Sequence, residues 1–196
     1  MKSLLRAASI AVFTLTAASG SLFAATGNVS SGTFSITLNS DFIQGLKKDQ
    51  IKTTYINASN ASAGTGESFT IEGGIVDLDN GSSEVQTTGG IQFTSKTNGT
   101  TVQLQRLALE STDSSKAKIS ALVILNGTYI GRRNVFTVTA GKPYKLPLPY
   151  GNVSSKDFSF KVTKAFAEEI GDYFPGGPTP TGDIGTAALD VDITAQ

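Results

Sequence analysis

The chain of 196 residues balances 16 basic against 16 acidic side chains and contains no cysteine, histidine or tryptophan. Without cysteine there are no disulfides and no thiolate metal sites. Without histidine the commonest general base and transition-metal ligand are missing, so no Ser-His-Asp or Cys-His site exists.

In chain order, Lys2 and Arg6 form a short positive start, followed by an uncharged stretch that lasts until Asp41. Its apolar centre, from Ala7 to Leu15, is interrupted by Ser, Thr and Gly before it reaches the roughly 20 residues that a membrane span requires. It ends in small residues, with Ala24 and Ala25 as candidate last residues before a cut. Charge, apolar run and small-residue site in this order predict a secretory signal peptide over 1–24. The remaining domain, 25–196, has about 172 residues, enough for one core. Once Lys2 and Arg6 leave, 14 basic residues face 16 acidic ones. A formal charge of −2 offers no long-range attraction for nucleic acid or an anionic membrane.

Alternation with period two dominates this domain. Phe34, Ile36 and Leu38 predict a half-buried strand, and Phe69 and Ile71 another, with Ile75-Val76 after Gly73-Gly74. Ile91 and Phe93 follow Gly89-Gly90. Val102, Leu104, Leu107 and Leu109 accompany Asn98-Gly99-Thr100, a hairpin-turn signal. Ile119, Ala121, Val123 and Leu125 close on Asn126-Gly127-Thr128, and Tyr129-Ile130, Val135, Phe136 and Val138 continue beyond it. Phe158, Phe160 and Val162 alternate, as do Leu189, Val191 and Ile193 against Asp190 and Asp192. Two short helices interrupt the pattern, one after Ser40 as cap (41–47) and one after Thr163 as cap (164–170) with Gly171 as a stop. Residues 57–66 and 175–182 read as loops. The sum is an all-β chain, an antiparallel β-sandwich or barrel-like domain with one or two short helices. Gln86-Thr87-Thr88 and Ile193 to Gln196 are candidate sheet edges, the second guarded by Asp190 and Asp192.

Few side-chain groups suggest chemistry. Asp77, Asp79, Asn80 and Glu84 hold the oxygen donors of a weak calcium candidate, while Asp-Leu-Asp-Asn-Gly equally makes a tight turn. Glu168 and Glu169, with Asp172 nearby, suggest paired carboxylates, but adjacent glutamates on a short helix point apart and make a poor acid pair for glycoside cleavage. Tyr129 with Arg132 and Arg133, and Lys142 to Lys145 with Tyr150, are basic and aromatic clusters suited to an anionic polymer. The seven Asn-x-Ser/Thr triplets, at Asn28, Asn57, Asn60, Asn80, Asn98, Asn126 and Asn152, coincide largely with turn chemistry.

Phe69 to Asp77, Thr88 to Phe93 and Thr101 to Leu109, with the helix at 163–170 and Ile184-Gly185-Thr186-Ala187-Ala188 opening the last strand, resemble the core of the HtaA-domain family of secreted actinobacterial proteins. The resemblance spans about 67–193 and implies a β-rich, extracellular or cell-wall domain. It also implies haem binding through a tyrosine near the first helix, supported by a histidine. Here that helix reads Ser40-Asp41-Phe42-Ile43-Gln44, the nearest tyrosine is Tyr55 outside the motif, and histidine is absent. The fold carries over further than the ligand set does. The expected function is therefore a secreted, non-enzymatic extracellular or cell-envelope interaction or structural domain. The alternative is an HtaA-like binding module for haem or another hydrophobe, and a carboxylate-based hydrolase ranks third. No catalytic residue and no cofactor is assigned. The expected partner is an unidentified extracellular or cell-surface molecule, with no nucleic acid and no membrane span after cleavage, and the expected state is a monomer or small oligomer.

Overall fold

The structure is a computed structural model that describes residues 26–60, 66–79, 81–112, 116–140, 150–174 and 182–195. The expected leader, the expected loop at 175–182 except its last residue, Gly182, and the cluster at Lys142 to Lys145 lie outside the described residues. The elements run β1 (Thr26–Leu38), α1 (Ser40–Lys48), β2 (Ile51–Ile56), β3 (Ala58–Asn60), β4 (Glu67–Asp77), β5 (Ser83–Thr87), β6 (Gly90–Ser95) and β7 (Thr101–Ser111). They continue with β8 (Lys116–Leu125), β9 (Thr128–Ala140), β10 (Gly151–Val162), α2 (Lys164–Tyr173) and β11 (Gly185–Ala195). Every pairing is antiparallel and all strands join one sheet.

That sheet closes on itself. From β7 the hydrogen-bonded path runs through β5, β4, β1, β11, β10, β9 and β8, and β8 pairs back onto β7. The expected all-β, barrel-like architecture with two short helices is what the chain adopts. Closure depends on an irregularity in β7. Its first half, Thr101 to Gln105, pairs with β6, and its second half, Ala108 to Ser111, pairs with β5. Between them Arg106 takes a positive φ of 48° and donates its backbone N–H to the Gly89 carbonyl at 2.9 Å. The ladder to β8 shifts register at the same point. A bulge there turns Leu107 and Leu109 inward, in step with Val102 and Leu104 despite the change from even to odd numbering. Close strand approach fixes Gly90, where a Cβ would run into the Leu104 carbonyl oxygen. Asn126 and Gly127, both with positive φ (48° and 82°), form the primed turn between β8 and β9.

The inward faces carry the core. Phe34 sits in register with Phe69 on one side and Leu189 on the other, and all three are buried. Phe136 and Phe160 meet edge to face with centroids 5.2 Å apart. Each such ring stabilises the barrel by about 1.5–3 kcal/mol through burial.

Both helices differ from expectation at one end. Asn39, not Ser40, is the N-cap of α1 and its side chain makes no capping bond; it donates Nδ2 to the Asp183 carbonyl at 2.9 Å instead. Asp41 in the first turn and Lys47 and Lys48 in the last still complement the helix dipole. Thr163 caps α2 as expected, its Oγ1 accepting from Phe166 N at 3.3 Å. Gly171, however, does not stop the helix, which continues to Tyr173. The expected loop at 57–66 begins as β3, and the proposed edges are internal: β5 lies between β4 and β7, and β11 between β1 and β10. Because β11 has a partner on both sides, Asp190 and Asp192 line its outer face without guarding an edge.

Gly171→Ala is expected to stabilise the protein by roughly 0.5–1 kcal/mol, because a Cβ there meets nothing within 4 Å and alanine loses less backbone entropy in a helix. A urea denaturation midpoint that fell instead would contradict this account of α2.

Candidate functional site

The two helices cover one region of the barrel rim and create the hollows that matter. α1 buries Leu46 and packs Phe42 and Ile43 against the core, and α2 buries Phe166 with Ile170 beside it. Backbone bonds anchor their starts to strands: Asn39 N to the Ile184 carbonyl at 2.8 Å, and Thr163 N to the Val135 carbonyl at 3.0 Å. Where the helices approach, Phe42, Leu46, Phe93, Phe136, Phe166 and Phe174 wall an apolar cleft. These rings leave it only about 40 Å³, room for roughly one water rather than an organic ligand.

A larger notch opens on the other flank of α1, between Leu38 at the end of β1 and strand β2, with about 380 Å³ of space. β2 pairs with β6 alone and ends the strand path, so its second edge faces this notch. Ile43 and Leu46 from α1 and Ile51 from β2 give it apolar walls. Exposed Lys47, Lys52 and Lys96 stand around it, Lys96 held by its backbone N–H bond to the Gln50 carbonyl at 2.8 Å. Tyr55 is half-buried on its wall, its ring 6.4 Å from that of Phe69, and its hydroxyl makes no hydrogen bond among the described residues. Burial, and then the negative charge of Glu67, push the Tyr55 phenol above its ordinary value of 10.0. The side chain is a neutral donor.

The residues singled out in the sequence are placed apart from this rim, or are engaged otherwise. Asp77 shapes a turn: its Oδ1 accepts from Asp79 N and its carbonyl from Gly81 N, both at 2.9 Å. Asn80 lies outside the described residues. Glu84 is on β5, accepting from Gln86 Nε2 at 2.8 Å, and no group of three or more acidic, histidine or cysteine side chains is arranged for a metal ion among the described residues. Glu169 accepts from Arg133 Nε at 3.2 Å and from the Tyr173 hydroxyl at 3.2 Å, while Glu168 faces Lys164 at 3.8 Å. These carboxylates support α2 and do not flank a cleft. Arg132 donates to Ser120 Oγ at 2.9 Å and Ser120 donates to Glu110, while Arg133 is engaged with Glu169 of α2, and Tyr129 remains exposed. Lys52, Lys96 and Tyr55 were missed as a group. Only the β2–β6 pairing brings Lys96 to the other two, and nothing local in the sequence signals that pairing.

Among known proteins, no family model matches the sequence and no curated protein matches it. Among solved structures the chain is similar to the C-terminal domain of HtaA from Corynebacterium glutamicum, with a TM-score of 0.67 and 15% identity over 86% of this chain and 99% of that domain. It is also similar to a domain-swapped dimer of a histidine-to-alanine variant of the same domain, with a TM-score of 0.52 and 16% identity over 76% of this chain and 90% of that one. The likeness establishes the fold: this is an HtaA-domain-like β protein.

Phenolate absorbance should report the shifted tyrosines. Tyr55 is raised by burial and Glu67, and Tyr173 by burial and the adjacent Glu169. The unfolded chain ionises first as pH passes 10.0, so the stability that the neutral phenols contribute is complete below that pH and lost as pH rises through the folded values. Tyr55→Phe should remove part of the late-titrating signal; an unchanged curve would count against a shielded Tyr55.

Proposed function

We propose that this chain is a secreted, non-enzymatic domain of the cell envelope or extracellular space, in which the helix-covered rim of an HtaA-type barrel meets a ligand or partner. The observation that carries the reading is the pair of hollows at that rim, one apolar and one with a mixed apolar and lysine-rich lining, above a barrel whose interior is filled by its own side chains. Export is supported by the charge and apolar pattern of residues 1–24, and no helix among the described residues is long and apolar enough to cross a membrane. A non-catalytic role is supported by the absence of histidine and cysteine, and by carboxylates engaged away from the hollows. Closure of the sheet around β11 and β5 supports a monomer or small oligomer.

The haem reading implied by the resemblance does not fit these residues. α1 carries no tyrosine, the chain has no histidine, and the cleft between the helices is far below the several hundred Å³ of a cofactor site. Tyr55 lines the notch, but burial and Glu67 oppose the phenolate that would ligate iron. No step through haem follows.

Expressed with its leader in a bacterial host, the protein is expected outside the cytoplasm, shortened by about 24 residues in mass spectrometry, and small by light scattering. Recovery of the full-length chain in the cytoplasm, or long filaments, would overturn the reading. Titrated with haemin, the secreted product should give no Soret shift; a saturating shift at equimolar haemin would restore the cofactor module.

A further inference from the structure

We propose that the notch between α1 and β2 binds a small amphipathic acid, its apolar body seated under α1 and its carboxylate held at the mouth by Lys47, Lys52 and Lys96. The inference rests on the reading of the chain as a binding domain and names the ligand class of its rim. Four observations converge on it.

First, the space suits a small ligand: about 380 Å³ falls in the range of small-molecule sites, unlike the filled cleft beside it. Second, its walls are apolar where α1 overhangs, through Leu38, Ile43, Leu46 and Ile51, which favours a hydrocarbon or aromatic body. Third, the charge that lines it has one sign. Its ionisable lining is three lysines and a tyrosine with no carboxylate, and none of those lysines forms an ion pair among the described residues. Two acids stand close without lining it: Asp49, the C-cap of α1 between Lys47 and Gln50, and Glu67, whose charge acts on Tyr55. An anionic head is thus attracted, and a cationic one repelled.

Fourth, the Tyr55 hydroxyl has no partner among the described residues although the ring is half-buried. A phenol that stays neutral can donate to a carboxylate without adding like charge. Anchoring is built from separate parts of the chain: Lys47 comes from α1, Lys52 and Tyr55 from β2, and Lys96 from the turn after β6. The β2–β6 register, Ile51 opposite Ser95, brings the last of these within reach.

The test is isothermal titration of the mature protein with decanoate below its micelle concentration, beside decyltrimethylammonium, a cation of equal chain length. Saturable one-site binding of decanoate is expected, with the cation at least about tenfold weaker. Tyr55→Phe should weaken decanoate roughly three- to tenfold through the lost hydrogen bond. Lys47→Gln combined with Lys52→Gln should weaken it about two- to fivefold, as expected for exposed charges. Lys118→Gln, on β8, should leave it unchanged, with circular dichroism verifying the fold of each variant. No decanoate binding, equal binding of the cation, or undiminished affinity in both notch variants would overturn the proposal. So would retention on phosphatidylglycerol vesicles without decanoate binding, which would assign the lysines to a membrane surface. A secreted protein that ignores decanoate loses this ligand class alone, whereas a chain held in the cytoplasm loses the proposed function irrespective of the titration.

Discussion

One strand makes the rest of the molecule possible. β7 pairs with β8 along one edge and with β6 and then β5 along the other, so it alone joins the two ends of the sheet. The bulge at Arg106 lets it serve two partners in succession without turning its apolar residues outward. Were the register to run straight through, Leu107 and Leu109 would face solvent and a large part of the interior would go unfilled. The cost is a non-glycine residue in the left-handed region, of order 1 kcal/mol. The Arg106 ion pair to Glu72 at 2.6 Å, about half exposed on both sides, offsets little of that.

Closure at β7 also determines where function can reside. A filled barrel offers its wall and its rims, and the wall outside β6 and β7 is occupied by side-chain ladders such as Gln105 to Gln103 to Gln92, with bonds of 2.7 and 2.8 Å. At the rim, α1 and α2 contribute aromatic residues that close one hollow, while the unpaired edge of β2 leaves another open. The difference between them is which side of α1 carries bulk: Phe42 fills the space toward α2, whereas Ile43 and Lys47 leave room toward β2.

Much of the architecture was legible because period-two alternation is a direct record of which face is buried. Phe34-Ile36-Leu38, Ile119-Ala121-Val123 and Leu189-Val191-Ile193 all turn inward as their spacing indicated. The change of parity from Val102 and Leu104 to Leu107 and Leu109 carries the bulge in the sequence, but it acquires meaning only from the exchange of neighbours, β6 for β5, which the other strands determine. Helix limits were less legible. The Gly171 signal was overridden because α2 still had Phe174 to bury, and Ser40 lost the cap position to Asn39, which is tied to Ile184 far along the chain. The notch was not legible at all, since it joins residues from α1, β2 and the end of β6 through a ladder with no local signature. The acidic and arginine clusters were visible but engaged: Asp77 in its turn, and Arg133 with Glu169.

The place of β11 has a consequence for the order of events in the cell. It lies between β1 and β10, with Gly27 opposite Ala195, so the first and last described strands are hydrogen-bonded neighbours. The ring therefore cannot close until β11 has been made, and contacts of such sequence separation form slowly. During that interval the growing polypeptide lacks its completed core. Until β11 arrives, β1 and β10 each lack a neighbour, so the early strands can be held together only by partners that are already made.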